Sequence, residues 1–174
     1  MGRVINMKEL IFICGASGIG KSTICEKLYK TINNAALVDS DHCRMMNPFT
    51  FTDEQKIIVE DNMATMLTNY LKCSSIENVI FLYGLHGPRK QMFANIMTRL
   101  SETKIPYQHT SIILECEYEE NLRRSRMDGR DEEHIKYFTE HTRDIYNQYD
   151  YPRLDITLLS VEEAVERLVK MLAK

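Results

Sequence analysis

The residues best equipped for chemistry in this chain fall in one short stretch. Gly15-Ala16-Ser17-Gly18-Ile19-Gly20-Lys21-Ser22, followed by Thr23, satisfies every fixed position of the pattern G-x-x-x-x-G-K-[ST]. In that pattern the glycines let successive backbone N–H groups curl around phosphate oxygens, and the start of the next helix adds partial positive charge. Lys21 can reach the β- and γ-phosphates of a nucleoside triphosphate, and the Ser22 hydroxyl can ligate Mg²⁺. The surroundings agree with the string. An apolar run, Glu9–Cys14, precedes it, and Lys21–Asn33 follows with Ile24, Leu28 and Ile32 on one helical face. The ligands expected from these residues are ATP and Mg²⁺.

Phosphate-loop chemistries differ in what completes the site. Motor and remodelling ATPases place an acidic pair after an apolar strand, whereas Asn78–Tyr83 runs into Gly84-Leu85-His86-Gly87-Pro88 without a carboxylate. Ile112–Glu115 supplies a glutamate only late in the chain, just before a basic segment, and a guanine-reading N-K-x-D is absent. These absences favour a small kinase, which must hold an acceptor hydroxyl and take its proton. Asp39-Ser40-Asp41-His42-Cys43-Arg44 offers the groups. Side chains alternate with period two along an extended strand end, so Asp39 and Asp41 point the same way. One carboxylate can orient metal-bound water while the other accepts the proton; the plainer reading is an Asp-rich loop capping the next element. Arg44 follows closely enough to face the same pocket as Asp41, and its guanidinium suits a second anionic group on the acceptor. Pairing with Asp41 is the structural alternative. His86 stands where an acceptor should pass, and Arg89 and Lys90 can bind an acidic group, although cations in a first helical turn are commonly just solvated.

Arg123, Arg124, Arg126 and Arg130 then crowd into Asn121–Arg130 of an otherwise acidic chain. On a helix Arg123, Arg126 and Arg130 fall at i, i+3 and i+7, giving one basic face. Guanidinium forks suit the charge that spreads over a migrating phosphoryl group. Asp128-Gly129 should break that helix and let a segment swing. The alternative is a solvated face neutralised by Glu117, Glu119, Glu120, Asp131, Glu132 and Glu133. His42, His109, His134 and His141 show no metal-ligand spacing, and Cys14 reads as a small buried apolar residue.

Something must position these groups, and the sequence suggests what. Besides Glu9–Cys14, apolar β-rich runs occur at Ala35–Asp39, Asn78–Tyr83, Thr110–Cys116 and Asp155–Leu159. Runs without alternation suit strands buried on both faces of a parallel sheet. Thr52-Asp-Glu-Gln55 reads as a capping box before Val59, Met63, Met66, Leu67, Tyr70 and Leu71. Pro88 reads as the first residue of a helix with Met92, Phe93, Ile96, Met97 and Leu100 inward. Ser160-Val-Glu-Glu163 opens a last helix carrying Val165, Leu168, Val169 and Leu172. At such spacings the methionines read as core. Alternating strands and helices imply a three-layer α/β architecture, and 174 residues fit a single domain, 1–174.

Composition narrows the partners. With 44% apolar and 27% charged residues the chain is not mainly disordered, and a net charge of −3 counts against a general nucleic-acid surface. No apolar run approaches the ~20 residues of a membrane span, and Met1–Leu10 lacks the apolar stretch of a secretory signal. Five cysteines without a C-x-x-C pair suggest reduced thiols in the cytoplasm.

Gly15–Thr23, the D-x-D of Asp39 and Asp41, and the arginine cluster together resemble the small P-loop kinase group. That group includes shikimate kinase, gluconate kinase, chloramphenicol phosphotransferase and the nucleotide kinases, with an ATP-binding domain of the AAA_33 type. The resemblance follows the order of elements over most of the chain, and its specific motif is the phosphate loop. It implies a P-loop NTPase fold with a five-stranded parallel sheet in the order 2-3-1-4-5 and a helical lid over about 117–133. It further implies that Asp39 holds Mg²⁺ with Ser22 and that Asp41 contacts the acceptor hydroxyl. Arg126 and Arg130 would be lid arginines, and Arg123 or Arg124 would lie near the adenine. Glu133, Phe138, Arg143 and Tyr146 resemble the residues that follow the lid in nucleotide kinases. Two departures stand out. The Gly84–Lys90 loop is neither a shikimate-type triple glycine nor a gluconate-type Ser-Ala-Leu-Lys. Asp41-His-Cys-Arg44 has the D-x-x-R spacing of polynucleotide kinases, where the Asp activates a 5′-hydroxyl and the Arg contacts a substrate phosphate. The expected protein is an ATP- and Mg²⁺-dependent kinase, a monomer or homodimer, phosphorylating a hydroxyl or phosphate of an anionic small molecule such as a sugar acid or nucleotide. A polynucleotide 5′-hydroxyl kinase and a regulatory ATPase without an acceptor are the alternatives.

Overall fold

The apolar run before the phosphate loop is the middle strand of the sheet. In the computed structural model, which describes residues 7–173, β1 (Lys8–Gly15) pairs in parallel with β3 (Asn78–Leu82) on one side and with β4 (Tyr107–Glu115) on the other. β2 (Ala35–Asp39) lies outside β3, and β5 (Arg153–Asp155) lies outside β4, giving the order β2-β3-β1-β4-β5. The strand order matches the expectation. Successive β1 side chains divide between two apolar layers, as a doubly covered parallel sheet requires. Leu10, Phe12 and Cys14 join the layer under α2 (Asp53–Lys72) and α3 (Arg89–Glu102), whereas Ile11 and Ile13 join the layer under α1 (Lys21–Thr31) and α7 (Val161–Leu172).

Between β4 and β5 the chain forms α4 (Tyr118–Met127) and then a broken helical run. That run comprises α5 (Glu132–His134), a π-helical turn over Ile135–Glu140, α6 (His141–Arg143) and a 3-10 turn over Asp144–Gln148.

Local chemistry explains where the elements begin and where they depart from the expectation. The Ser160–Glu163 capping box forms in full. At the start of α2 only half of the expected box forms: Thr52 Oγ1 accepts from the Gln55 N–H, but the Gln55 side chain accepts from the Thr50 N–H and donates to the Pro48 carbonyl instead. Pro88 is the N-cap of α3 rather than its first residue. The expected strand Asp155–Leu159 is largely a turn. Asp155 Oδ1 accepts from the Thr157 N–H and hydroxyl, and the Arg124 guanidinium takes the Ile156 and Thr157 carbonyls, so those groups leave the ladder. Ile156 is fully buried all the same, whereas Leu158 is exposed.

Candidate phosphate-binding cleft

β1 leads toward β2 and its neighbour β4 leads toward β5, in opposite directions, so a crevice opens at their carboxyl ends. A cleft of about 870 Å³ occupies this edge, reaching across to the ends of β2 and β3. The loop between β1 and α1 forms its floor. Gly15 has φ 147° and Gly18 φ 79°, backbone that L side chains rarely adopt. A Cβ at Gly15 would strike the Leu114 carbonyl, and one at Gly18 would strike the Ser125 hydroxyl, so these glycines let the loop lie flat against β4 and α4. Ala16 and Ile19 point away from the cleft into buried surroundings, whereas Ser17, Gly18, Gly20, Lys21, Ser22 and Thr23 line it.

Lys21 donates from Nζ to the Ala16 carbonyl at 2.7 Å. Burial pulls its pKa down to about 8. Beside the loop, Asp39 is 7% exposed and its Oδ1 accepts from the Asp41 N–H at 2.9 Å. Both carboxylates line the cleft, but β2 ends at Asp39 and Asp41 has αR backbone (φ −71°, ψ −33°) at the start of a 3-10 turn, His42–Arg44, so the turn and not strand alternation brings them together. Arg44 also lines it, and its Nη2 lies 2.5 Å from Asp41 Oδ1. The pairing weighed as the structural alternative is thus present, inside the cleft wall.

The loop after β3 supplies the opposite wall. His86 lines the cleft, and burial together with the positive charges of Lys21 and Arg44 pulls its pKa down to about 4, against an opposing pull from Asp41. The ring is therefore neutral at physiological pH. Gly84 makes room for it: a Cβ there would sit 3.1 Å from His86 Nδ1 and 3.7 Å from Arg89 Nη1. Arg89 lines the same wall with its guanidinium 5.5 Å from the Tyr83 ring centre. Lys90 turns away to Gln148 at 2.9 Å and is not part of the lining.

The arginines do not form one basic face. α4 ends at Met127, so the helical spacing does not extend to Arg130. Arg123 binds Glu120 through two nitrogens at the cleft mouth, its side chain 58% exposed. Arg124, 19% exposed, straps Ile19, Ile156 and Thr157 carbonyls together. The two guanidiniums hold the Glu120 carboxyl down at about 2. Arg126, 53% exposed, pairs with Glu132 outside the cleft, contrary to its expected place among the phosphate-facing groups. Arg130 turns back onto the loop, donating from Nη1 to Ser17 Oγ at 2.6 Å.

Several lining residues escaped the sequence reading. Met127, Leu159 and Val161 give the cleft an apolar lip beside Arg123, although Met127 had been counted with the core methionines. Asn121, fully buried, donates to the Ser17 carbonyl, and Thr142 accepts from the Ser17 N–H. The sequence held one weak signal for the first, a polar Asn opening an arginine-rich helix, and none for the second. The π-helical turn directs Phe138 into the cleft, with its ring 6.3 Å from that of His86, while the neighbouring Thr139 packs against the Ser125 hydroxyl.

Comparison with known proteins adds a family and a fold. A family model, AAA_18, described as an AAA domain, matches residues 11–147. No curated protein matches the sequence. Among solved structures, a tunicamycin resistance protein from Deinococcus radiodurans is 14% identical, with 95% of each chain covered and a TM-score of 0.69. Shikimate kinase from Aquifex aeolicus is 20% identical over 94% of this chain and 96% of that one, with a TM-score of 0.61. A gluconokinase from Sinorhizobium meliloti is 14% identical over 98% of both chains, with a TM-score of 0.59. At these identities the likeness is one of fold, that of the small P-loop kinases.

Proposed function

We propose that this chain, which belongs to the AAA-domain family, is an ATP- and Mg²⁺-dependent phosphotransferase that moves the γ-phosphoryl group to an anionic small molecule. One observation carries the reading. Lys21, Ser22, Asp39, Asp41, Arg44, His86, Arg89 and Arg130 come from four separate stretches of sequence and line one cleft. Lys21 exchanges the Ala16 carbonyl for the β- and γ-phosphates, a favourable trade for a cation held in a buried place. Ser22 and Asp39 suit Mg²⁺, which usually takes one or two protein oxygens beside phosphates and water. Bound there, the metal would neutralise charge developing on the phosphates.

Asp41 accepts the proton of the acceptor hydroxyl, and Arg44 holds that carboxylate until the acceptor enters. When an anionic acceptor enters, Arg44 and Arg89 offer it two guanidinium groups, the geometry that favours a carboxylate or phosphate. Neutral His86 lies between Lys21 and Arg44 and can hydrogen-bond the acceptor without adding charge. The apolar lip of Met127, Leu159 and Val161 receives the nucleobase, with Arg123 at its edge, and Arg130 faces the transferring phosphate. The cysteines Cys14, Cys25, Cys43 and Cys116 are buried as free thiols and suit a reducing cytoplasm. Among the described residues no helix is long and apolar enough to cross a membrane.

A screen of labelled γ-phosphoryl transfer tests the reading, with sugar acids, nucleotides, matched uncharged alcohols and 5′-hydroxyl oligonucleotides as acceptors. Transfer confined to anionic small molecules is expected. Transfer only to oligonucleotide ends, or ATP binding without transfer to any acceptor, would overturn it.

A further inference from the structure

Ser17 occupies a variable position of the phosphate-loop pattern, yet every polar group it carries is bonded to a segment distant in sequence. Its N–H donates to Thr142 Oγ1 at 3.0 Å, its carbonyl accepts from Asn121 Nδ2 at 2.9 Å, and its hydroxyl accepts from Arg130 Nη1 at 2.6 Å. Asn121 is itself oriented, because its Oδ1 accepts from Arg143 Nη1 at 3.0 Å, and Arg143 also donates to the Cys116 carbonyl at 2.8 Å. One residue of the loop thus joins α4, the segment carrying Arg130 and the helical run after it.

We propose that Ser17 is the positioning residue for Arg130: its hydroxyl fixes that guanidinium over the phosphate loop, and Thr142 and Asn121 fix Ser17 in turn. The inference rests on the phosphotransferase reading, since it gives a held arginine its use. An arginine beyond a helix end gives up side-chain freedom when it is ordered. Arg130 follows Gly129, at φ 75°, and its N–H closes onto the Ser125 carbonyl at 3.2 Å, so the end of α4 fixes where its backbone stands and leaves the long side chain to be aimed. Asp128 lies 3.3 Å from Nη2 and orients one edge of the fork. Ser17 orients the other and places it within the loop. Arranged before the substrate arrives, the guanidinium stabilises charge that develops during transfer without reorganising at that moment.

This assigns distinct effects to Ser17 and Lys21. Loss of the Ser17 hydroxyl should lower kcat and leave KM for ATP little changed, because the arginine acts on the transition state more than on the bound triphosphate. The test is a double-mutant cycle with Ser17→Ala, Ser17→Thr, Arg130→Ala and the Ser17→Ala/Arg130→Ala pair, with melting temperature as the check on folding. Ser17→Ala should lower kcat about ten-fold, with KM for ATP within about three-fold, Ser17→Thr should restore most of the loss, and Ser17→Ala should cost nothing further once Arg130 is gone. Full turnover in Ser17→Ala, or losses that simply add in the double variant, would overturn the proposal. The same proteins are titrated with ATP by calorimetry, so the two readings fail separately. If the wild type phosphorylates no acceptor, the phosphotransferase reading falls, and non-additive stability losses in denaturant melts across the cycle still support the Ser17–Arg130 link whereas additive ones remove it. If ATP does not bind at all, both fall.

Discussion

At the phosphate-loop end of the cleft, Ser17 and Ile19 are held through their backbone by Asn121, Thr142 and Arg124, and Gly18 lies against Ser125. At the acceptor end, Asp41 and Arg44 chiefly hold each other, 2.5 Å apart, and Arg89 rests against a tyrosine ring. The first arrangement suits a ligand that never varies, because backbone geometry cannot easily be retuned. The second suits a ligand that must break an internal pair to enter. On the proposed reading, an anion that takes Arg44 away from Asp41 would leave that carboxylate for the acceptor hydroxyl, so binding and activation would become one event. A neutral molecule has nothing to offer Arg44 and leaves the pair intact.

The comparison breaks most readily at Lys21. Lys21→Met should abolish transfer, with a loss of at least about 10³-fold, because the charge at the β- and γ-phosphates is gone. It should also stabilise the empty protein, since a buried ammonium held by one carbonyl is costly. The folded pKa of about 8 lies below the ordinary 10.5, so that cost is fully present below pH 8 and is relieved as pH rises from 8 to 10.5. At about 1.4 kcal/mol per unit the gain at pH 7 is about 1–3 kcal/mol. Denaturant melts of wild type and variant at pH 7 and pH 10 check both the sign and the window. A variant less stable than wild type at pH 7 would mean that Lys21 braces the loop even without phosphate.

At the other end, Asp41→Asn should leave ATP affinity within a few-fold while lowering transfer by about 10²–10⁴, the range for a positioned acid or base. Calorimetry and turnover on the identified acceptor separate the two effects. Equal damage to both would mean that the two ends are not independently held.

His86 sharpens the contrast through pH. Its folded pKa of about 4 is below the ordinary 6.5, so the unfolded chain takes up a proton that the folded chain resists. Stability should therefore fall as pH drops from 6.5 toward 4, and it is unaffected by this group above 6.5. Scaled for a ring that keeps some contact with solvent, the loss is about 1–3 kcal/mol. His86→Gln should flatten that part of the profile in melts between pH 4 and 7, and an unchanged profile would mean that His86 does not feel the charges of Lys21 and Arg44.

What could be read in advance follows the same division. The phosphate loop was legible because its constraints are local: glycines for positive φ, a lysine and a serine at fixed offsets. Asp39 and Asp41 stood out as a D-x-D at the end of an apolar run, but the strand stops at Asp39 and the turn after it is what brings Asp41 into the cleft. The braces were not, since the bond between Ser17 and Thr142 joins residues 125 positions apart and depends on a π-helical turn that no pattern announces. Asp155–Leu159 misled for a related reason. An apolar run suggests a buried strand, but Arg124 and Asp155 turn the chain here, so Ile156 is buried while Leu158 stands in solvent.

The smallest expected effect belongs to the residue on which sequence and structure disagree most. Helical spacing placed Arg126 on one face with Arg123 and Arg130, facing phosphate. The helix ends at Met127, however, and Arg126 points outward to Glu132, with both side chains more than half exposed. Exposed pairs of this kind contribute little, because water competes for both charges and ordering two long side chains offsets the attraction. Arg126→Ala should therefore keep transfer within about two-fold of wild type and leave the melting temperature nearly unchanged. Arg130→Ala, removing a charge held on the phosphate loop, should lower turnover by an order of magnitude or more. Measured side by side on one acceptor, the two variants decide which arginine faces the phosphate. A loss in Arg126→Ala as large as in Arg130→Ala would mean that the segment swings on binding and brings Arg126 inward, with Glu132 as the partner it must leave.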